Sequence, residues 1–388
     1  MMVKRTISAW STGIFLFCGG ALSAQQVPHP RDVWGFEPGA DNQLADYSMV
    51  VEYMKRLDQA SDRVQLIESG LSTLGRPLLL AFISSEENLR QLDRWKGISQ
   101  RLARGRGLTD EEARGLAKEG KAVVWMDGGL HATERAHGQM MPELAWRVAT
   151  EESEEMQKIR DNVIVLLAPN VNPDGLDIVA DWWERNKGTA FQETNPPVLY
   201  HFYMGHDNNR DAHTSFHNES QFINRWKWHE WYPQITYNHH QTAPYPARII
   251  IPPYDEPLNP EIPPLVVRGL TLVGAHEGKR FEEEGKTGVL SEQNFSMWMP
   301  DAFRYADYFH NEIGVMSETA HPSPVPRFIA PESLPEYFEG RSTQLSARRP
   351  SVFYPNPWQG GWSRYRDAVA YMLPASLVGL DIAADLKE

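Results

Sequence analysis

Cysteine is almost missing from this chain: among 388 residues only Cys18 carries a thiol. With no second cysteine there is no internal disulfide, so stability rests on the core alone. Basic residues are in deficit, 38 against 51 acidic ones, for a net charge of −13. That balance argues against nucleic acid and anionic membrane surfaces as partners. No repeat and no low-complexity tract is found, which excludes solenoid and array architectures. The early apolar run, Ile14 to Phe17, is too short to span a bilayer.

What that run does fit is a leader. Lys4 and Arg5 precede it, and small residues follow from Gly19 to Ala24. Basic start, apolar middle and small-residue end define a signal peptide, residues 1–24, with cleavage after Ala24 or, nearly as well, Ser23. Bulky Phe17 argues against a lipid anchor on Cys18. The expected destination is the periplasm or the exterior, with no membrane insertion after cleavage. Without Lys4 and Arg5 the mature chain has 36 basic residues against 51 acidic ones, a net charge of −15.

Residues 25–41 are polar and proline-containing and read as an N-terminal arm; 42–388 read as one domain. Helical spacing runs from Leu44 to Leu57, and strands are expected at Val64–Ile67 and Leu78–Ile83 around Gly75-Arg76-Pro77. Helices are expected over Glu86–Arg104 and Asp110–Lys118. A pattern then recurs, an apolar strand running into a polar loop. Ala122–Met126 leads to His131 and Glu134, and Val163–Ala168 to Asn172-Pro173-Asp174-Gly175. Ile235–Tyr237 leads to His239 and His240, and Gly314–Ser317 to Glu318. Helices at Gly138–Thr150, Leu265–Glu284 and Tyr365–Leu386 intervene or follow. Strands alternating with helices predict an α/β fold, a central mixed and largely parallel sheet flanked by helices. Ligands in such sheets collect at the carboxyl ends of strands, where these polar loops lie.

His131 and Glu134 share one tight turn, and imidazole nitrogen and carboxylate oxygen both suit zinc. A catalytic site needs a third ligand, and His239 or His240 can supply it. Alternate strand side chains face opposite ways, so only one of the two faces the metal. His-x-x-Glu alone occurs often by chance; the remaining motifs, in order, carry the argument.

Six segments together resemble the zinc carboxypeptidase family. Gly70-Leu71-Ser72-Thr73-Leu74-Gly75-Arg76-Pro77-Leu78 is similar to its early hairpin, and His131-x-x-Glu134 to its paired ligands. Asn172-Pro173-Asp174-Gly175 matches its Asn-Pro-Asp-Gly loop, and Asp207-Asn208-Asn209-Arg210 resembles its Asp-x-Asn-Arg. Asn238-His239-His240-Gln241 lies where the family has Asp-x-His, and Ser317-Glu318 where a strand end bears its catalytic glutamate.

The resemblance implies one zinc per chain on His131, Glu134 and His240, and a peptide or other amide as substrate. Glu318 would be general base toward the attacking water and then proton donor to the leaving amine. Arg185, in Trp182-Trp183-Glu184-Arg185-Asn186, would stabilise the oxyanion. Asn209 and Arg210 would grip a terminal carboxylate, and Asp207 would orient His131. Removal of C-terminal residues is the expected activity. A deacylase or cell-wall peptidase on the same scaffold is the alternative, and a non-catalytic binding protein the more distant one. Two features depart from the family: Asn238 replaces an acidic residue, and no tyrosine is identifiable as the one that closes over substrate. Tyr305 and Tyr308 are the nearest and read as packing. His137, His201, His206, His213 and His217 read as polar loop residues, and Trp226, Trp228, Trp231 and Tyr232 as core packing.

Overall fold

The computed structural model describes residues 27–299, 301–320, 323–339 and 345–388. The expected leader lies outside the described residues. The chain builds an eight-stranded mixed sheet from β1 (Val64–Leu71), β2 (Pro77–Ile83), β3 (Ala122–Asp127), β4 (Val163–Ala168), β5 (Ile235–His240), β6 (Ile249–Ile250), β7 (Val289–Leu290) and β8 (Ile313–Thr319). Their spatial order is β1-β2-β4-β3-β5-β8-β6-β7. The four central strands, β4, β3, β5 and β8, run parallel, while the β1–β2 hairpin is antiparallel and joins β4 antiparallel. Every residue of β3, β4 and β5 is buried. Continuous apolar runs such as Val163–Ala168 are what a sheet covered on both faces requires.

Helices cover both faces. Among those that matter here are α1 (Pro30–Trp34), α2 (Tyr47–Ala60), α3 (His137–Thr150), α4 (Pro173–Arg185), α5 (Pro264–Glu283), α6 (Phe303–Tyr308) and α7 (Tyr365–Asp385). The stretch read as an arm contains α1, whose Trp34 is buried against Tyr53. Glu86–Arg104 divides into Glu86–Leu89 and Leu92–Arg104. Buried Asn88 spends its amide on Ser84 Oγ and the Arg160 carbonyl, which ties the first turn to the end of β2 and to the helix Glu154–Asn162. α7 is long and apolar enough to cross a membrane, but it is mostly buried. It packs against α3, α5 and strands β3, β4, β5 and β8, as a core helix does.

The pleat sorts β5 into two faces. His239 stacks on Tyr237, with ring centroids 4.4 Å apart, and bonds Ser317 Oγ and Ser376 Oγ, each at 2.8 Å. It therefore faces α7, and burial lowers its pKa well below the ordinary histidine value. His240 faces the other way, toward the loops at the strand ends.

Candidate active site

β3 ends at Asp127 and the chain turns through Gly128 and Gly129. Gly129 has φ +80°, and a Cβ there would lie 2.1 Å from Asn170 Nδ2, so only glycine fits. Three hydrogen bonds fix the turn to its neighbours: Val171 N donates to Gly128 O, and the amides of Asn172 and Asn208 donate to Leu130 O. Asn172 also caps α4 by accepting from Gly175 N at 2.9 Å. Asp174 has a structural task. It accepts from Ser72 Oγ at 2.7 Å and Leu74 N at 2.8 Å and pairs with Arg76, tying the β1–β2 turn to α4. The hairpin motif and the Asn-Pro-Asp-Gly motif are thus two halves of one contact.

This scaffold brings His131, Glu134 and His240 together, with ligand atoms all within 4.8 Å of one another. His131 Nδ1 lies 3.0 Å from Glu134 Oε1, and His240 Nδ1 lies 3.1 Å from Glu134 Oε2. The two Nδ1 atoms are 3.2 Å apart. Each far ring nitrogen is taken: His131 Nε2 by Asp207 Oδ1 at 2.9 Å, His240 Nε2 by Asn238 Oδ1. Both Nδ1 lone pairs are thereby turned inward beside a carboxylate, a donor set of two nitrogens and one oxygen that fits zinc with one position left open.

The electrostatics agree with a cation site. Burial alone would lower the His131 pKa, but hydrogen bonds to Asp207 and Glu134 outweigh it and raise it to about 10. Burial would raise Glu134, yet His240 and His131 hold it well below the usual carboxylate range. Burial pushes Glu318 up to about 7; the His240 charge opposes this, and the charge of Glu134 adds to it. Glu318 pairs in register with His240, and one of its oxygens accepts from Thr242 N at 2.6 Å and Thr242 Oγ1 at 2.8 Å. It is a buried carboxyl poised near neutrality next to the donor cluster, the state a general base needs.

Asn209 and Arg210 follow Asp207 on a short helical turn. Asn209 Oδ1 accepts from Phe303 N at 3.1 Å. The Arg210 guanidinium lies 3.4 Å from Asp207 and 3.8 Å from Asp301 and keeps 31% of its side chain exposed.

Arg185 is placed elsewhere. It ends α4, whose other end touches the site, and twelve residues of helix put it about 18 Å away. Its side chain is 76% exposed and pairs with Asp181 at 3.2 Å. The sequence spacing there is irregular, and the helix resolves it against a role at the metal. Tyr305 and Tyr308 are buried, with hydroxyls bonded to Asn259 and to Gly314 O. The tyrosine beside the cluster is Tyr200, whose ring lies 6.3 Å from that of His131.

Sequence reasoning missed the support of His240. Asn238 Nδ2 donates to Asp127 Oδ1, and Asp127 Oδ2 accepts from Trp125 Nε1 at 2.5 Å. Gln241 has a part too: its N–H donates to Glu134 Oε2 at 3.1 Å, and its Oε1 accepts from Ala136 N at 2.7 Å. Their position beside His240 was the available signal. His206, Asp211 and His217 form another close donor set, but Asp211 already accepts from Thr214 Oγ1, Phe216 N and His217 N.

Two histidines and a glutamate at strand ends, with a buried carboxyl beside them, define a metal-dependent hydrolase. Residues 50–248 match the zinc carboxypeptidase family, and the chain belongs to that family. It is a zinc-dependent peptide hydrolase. No curated protein sequence matches it. Among solved structures it is similar to a metallo-carboxypeptidase from Burkholderia cenocepacia, with TM-score 0.53 and 13% identity over 88% of this chain and 70% of that one. A carboxypeptidase A from Helicoverpa armigera gives 0.52 at 14%, over 89% and 75%. A metallo-carboxypeptidase from Pseudomonas aeruginosa gives 0.51 at 13%, over 88% and 69%. At such identities these likenesses establish the fold.

Proposed function

We propose that this hydrolase removes C-terminal residues from peptides, and that it does so outside the cytoplasm. The observation that carries the reading is Arg210, half-buried and next to Asp207, which itself holds His131. A guanidinium there sets a free carboxylate at a fixed distance from the reacting centre, through its planar fork of donors. Asn209 shapes the same turn. Zinc, when bound to His131, Glu134 and His240, supplies Lewis acidity toward the scissile carbonyl and acidifies water.

Glu318 then does the proton work. With a pKa raised to about 7 it takes a proton from water near neutral pH and returns it to the leaving amine. Thr242 holds the carboxyl through one oxygen and leaves the other free for transfer. The basic, apolar and small-residue order of the first 24 residues supports export.

The test is a set of matched peptides with a free C-terminus, a C-terminal amide, and an N-acyl amino acid, run with metal analysis. Preference for the free acid, with release of single C-terminal residues, supports the reading. Equal cleavage of acid and amide points to endopeptidase action, and turnover of the N-acyl amino acid alone to a deacylase.

A further inference from the structure

A cavity of about 280 Å³ opens beyond Glu318, with Ala320 and Ala243 in its near wall. Ala320 follows Glu318 by two residues, about 7 Å along an extended chain. Its N–H donates to Arg248 O at 2.8 Å. Ala243 follows Thr242, which holds Glu318, and its N–H donates to Thr319 O at 3.2 Å. The cavity is thus fixed to the strand ends that carry the reacting groups.

Two arginines line it. Arg248 is buried, its guanidinium carbon 4.8 Å from the Trp358 ring centroid, and it donates to Ser363 Oγ at 3.1 Å and Asp367 at 3.0 Å. Arg327 comes from a small antiparallel pair, Arg327–Ile329 with Gly361–Ser363, in which it stands opposite Ser363. Ser363 therefore links the two guanidinium groups, as cross-strand partner of one and hydrogen-bond acceptor of the other. No carboxylate lines the cavity among the described residues. Asp367 is divided between Arg248 and the first turn of α7, where it accepts from Arg364 N at 2.8 Å. Glu193 meets Arg327 at 2.8 Å in a pair open to water, which a ligand displaces at little cost. The remaining walls are apolar, and Ala243, Ala247 and Ala320 leave room where longer side chains would fill it. Apolar walls and a cationic lining suit a side chain with a short aliphatic stem and a carboxylate end.

Strand order decides which part of a peptide reaches the cavity. Asp207 and Arg210 stand beside His131, after β3; His240 is on β5, Glu318 on β8, and Arg248 leads into β6. Each step is about 4.8 Å across the sheet. A terminus held at Arg210 therefore leaves the cavity to residues on the amino side of the scissile bond. We propose that the cavity is a specificity subsite for an acidic side chain, glutamate above all, at that side. The inference rests on the peptidase reading above.

The test is kcat/KM of the zinc-loaded full chain on peptides of one length and one C-terminal residue. Glu, Gln or Lys is placed in turn at each of the two positions before the scissile bond, with the C-terminus as free acid or amide. The wild type favours Glu over Gln by about tenfold or more at one of these positions, as charged hydrogen bonds allow, and accepts Lys least. Arg327→Gln lowers the Glu-to-Gln ratio with zinc content retained, and Arg327→Glu moves the preference to Lys. Arg248→Met lowers the ratio as well. A wild type indifferent to Glu and Gln at both positions overturns the proposal. So does a preference unchanged in both Arg327 variants, whether or not Arg248→Met folds. A Glu preference with equal cleavage of acid and amide supports the subsite while removing the assignment of C-terminal action. No turnover of any peptide overturns both.

Discussion

His131 and His240 present Nδ1 to Nδ1 at 3.2 Å, with Glu134 bridging them. Two ring nitrogens that close need a positive charge between or upon them, a proton or a metal ion, and each ring is held in that pose from behind. His131→Ala and Glu134→Ala each leave two ligands and reduce zinc content sharply, as does His240→Ala. His239→Ala retains zinc, since that ring bonds Ser317 and Ser376 on the opposite face. Metal analysis of the four variants checks this, and full zinc in the first three sinks the centre.

Glu318→Gln keeps size and most hydrogen bonding but removes the proton acceptor. Zinc stays bound, and kcat falls by a factor of about 10² or more. The pH profile carries the same information. A base with its pKa raised to about 7 is ionised above that value, so activity is lost as pH falls through it. Bound zinc favours the ionised carboxylate, which moves the acid limb to about 7 or lower, and Glu318→Gln abolishes the limb.

Arg210→Ala leaves the donor cluster and Glu318 untouched. It costs discrimination between a free C-terminus and its amide by roughly 1.5–3 kcal/mol, the worth of a hydrogen bond to a charged group. The ratio of kcat/KM for the two substrates reads this directly. A variant that still favours the acid as strongly as the wild type removes Arg210 from substrate binding.

Asn238 is the link between His240 and the buried carboxylate of Asp127. Asn238→Leu breaks that link, frees the His240 ring to rotate, and weakens zinc binding by about 10–100-fold. A zinc titration against a competing chelator measures it. Unchanged affinity means backbone and packing alone set the ring.

On the other face of β5, Tyr237 donates its hydroxyl to Glu277, whose carboxyl burial pushes up to about 8. The sign is as follows: between an ordinary glutamate value and about 8 the folded state keeps a proton that the unfolded state has released. Stability from this group is therefore complete at low pH and declines as pH rises toward 8. Glu277→Gln keeps the acceptor for Tyr237 and removes the charge. It stabilises the protein at pH 8 by about 1–3 kcal/mol relative to pH 5, measurable by denaturant melts at the two pH values.

The elements legible in the sequence share a physical basis. Strands buried on both faces read as unbroken apolar runs such as Val163–Ala168, and α2 and α5 carry spaced apolar positions such as Val50, Tyr53, Met54 and Leu57, or Val266, Leu270 and Val273. His131, Glu134 and Glu318 stood out because polar residues at strand ends are conspicuous after such runs. Strands of two residues, such as Ile249–Ile250, have too few positions to show any period. The Asn238–Asp127 bond joins residues 111 apart, and nothing local marks it. Arg185 followed the family resemblance, whereas its distance from the metal site is a matter of helix length.

The family match ends at residue 248, while Glu318 and α7 lie beyond it. All three zinc ligands sit inside the matched segment, so a fragment ending there would carry every donor atom and still have no base. It would also lose the strand that flanks β5, leaving that strand's edge open to pair with another copy. With α7 gone, His239 and Tyr237 would face water on a bare apolar sheet. In this chain the donors lie between residues 131 and 240, and the conditions for using them are spread to its last helix.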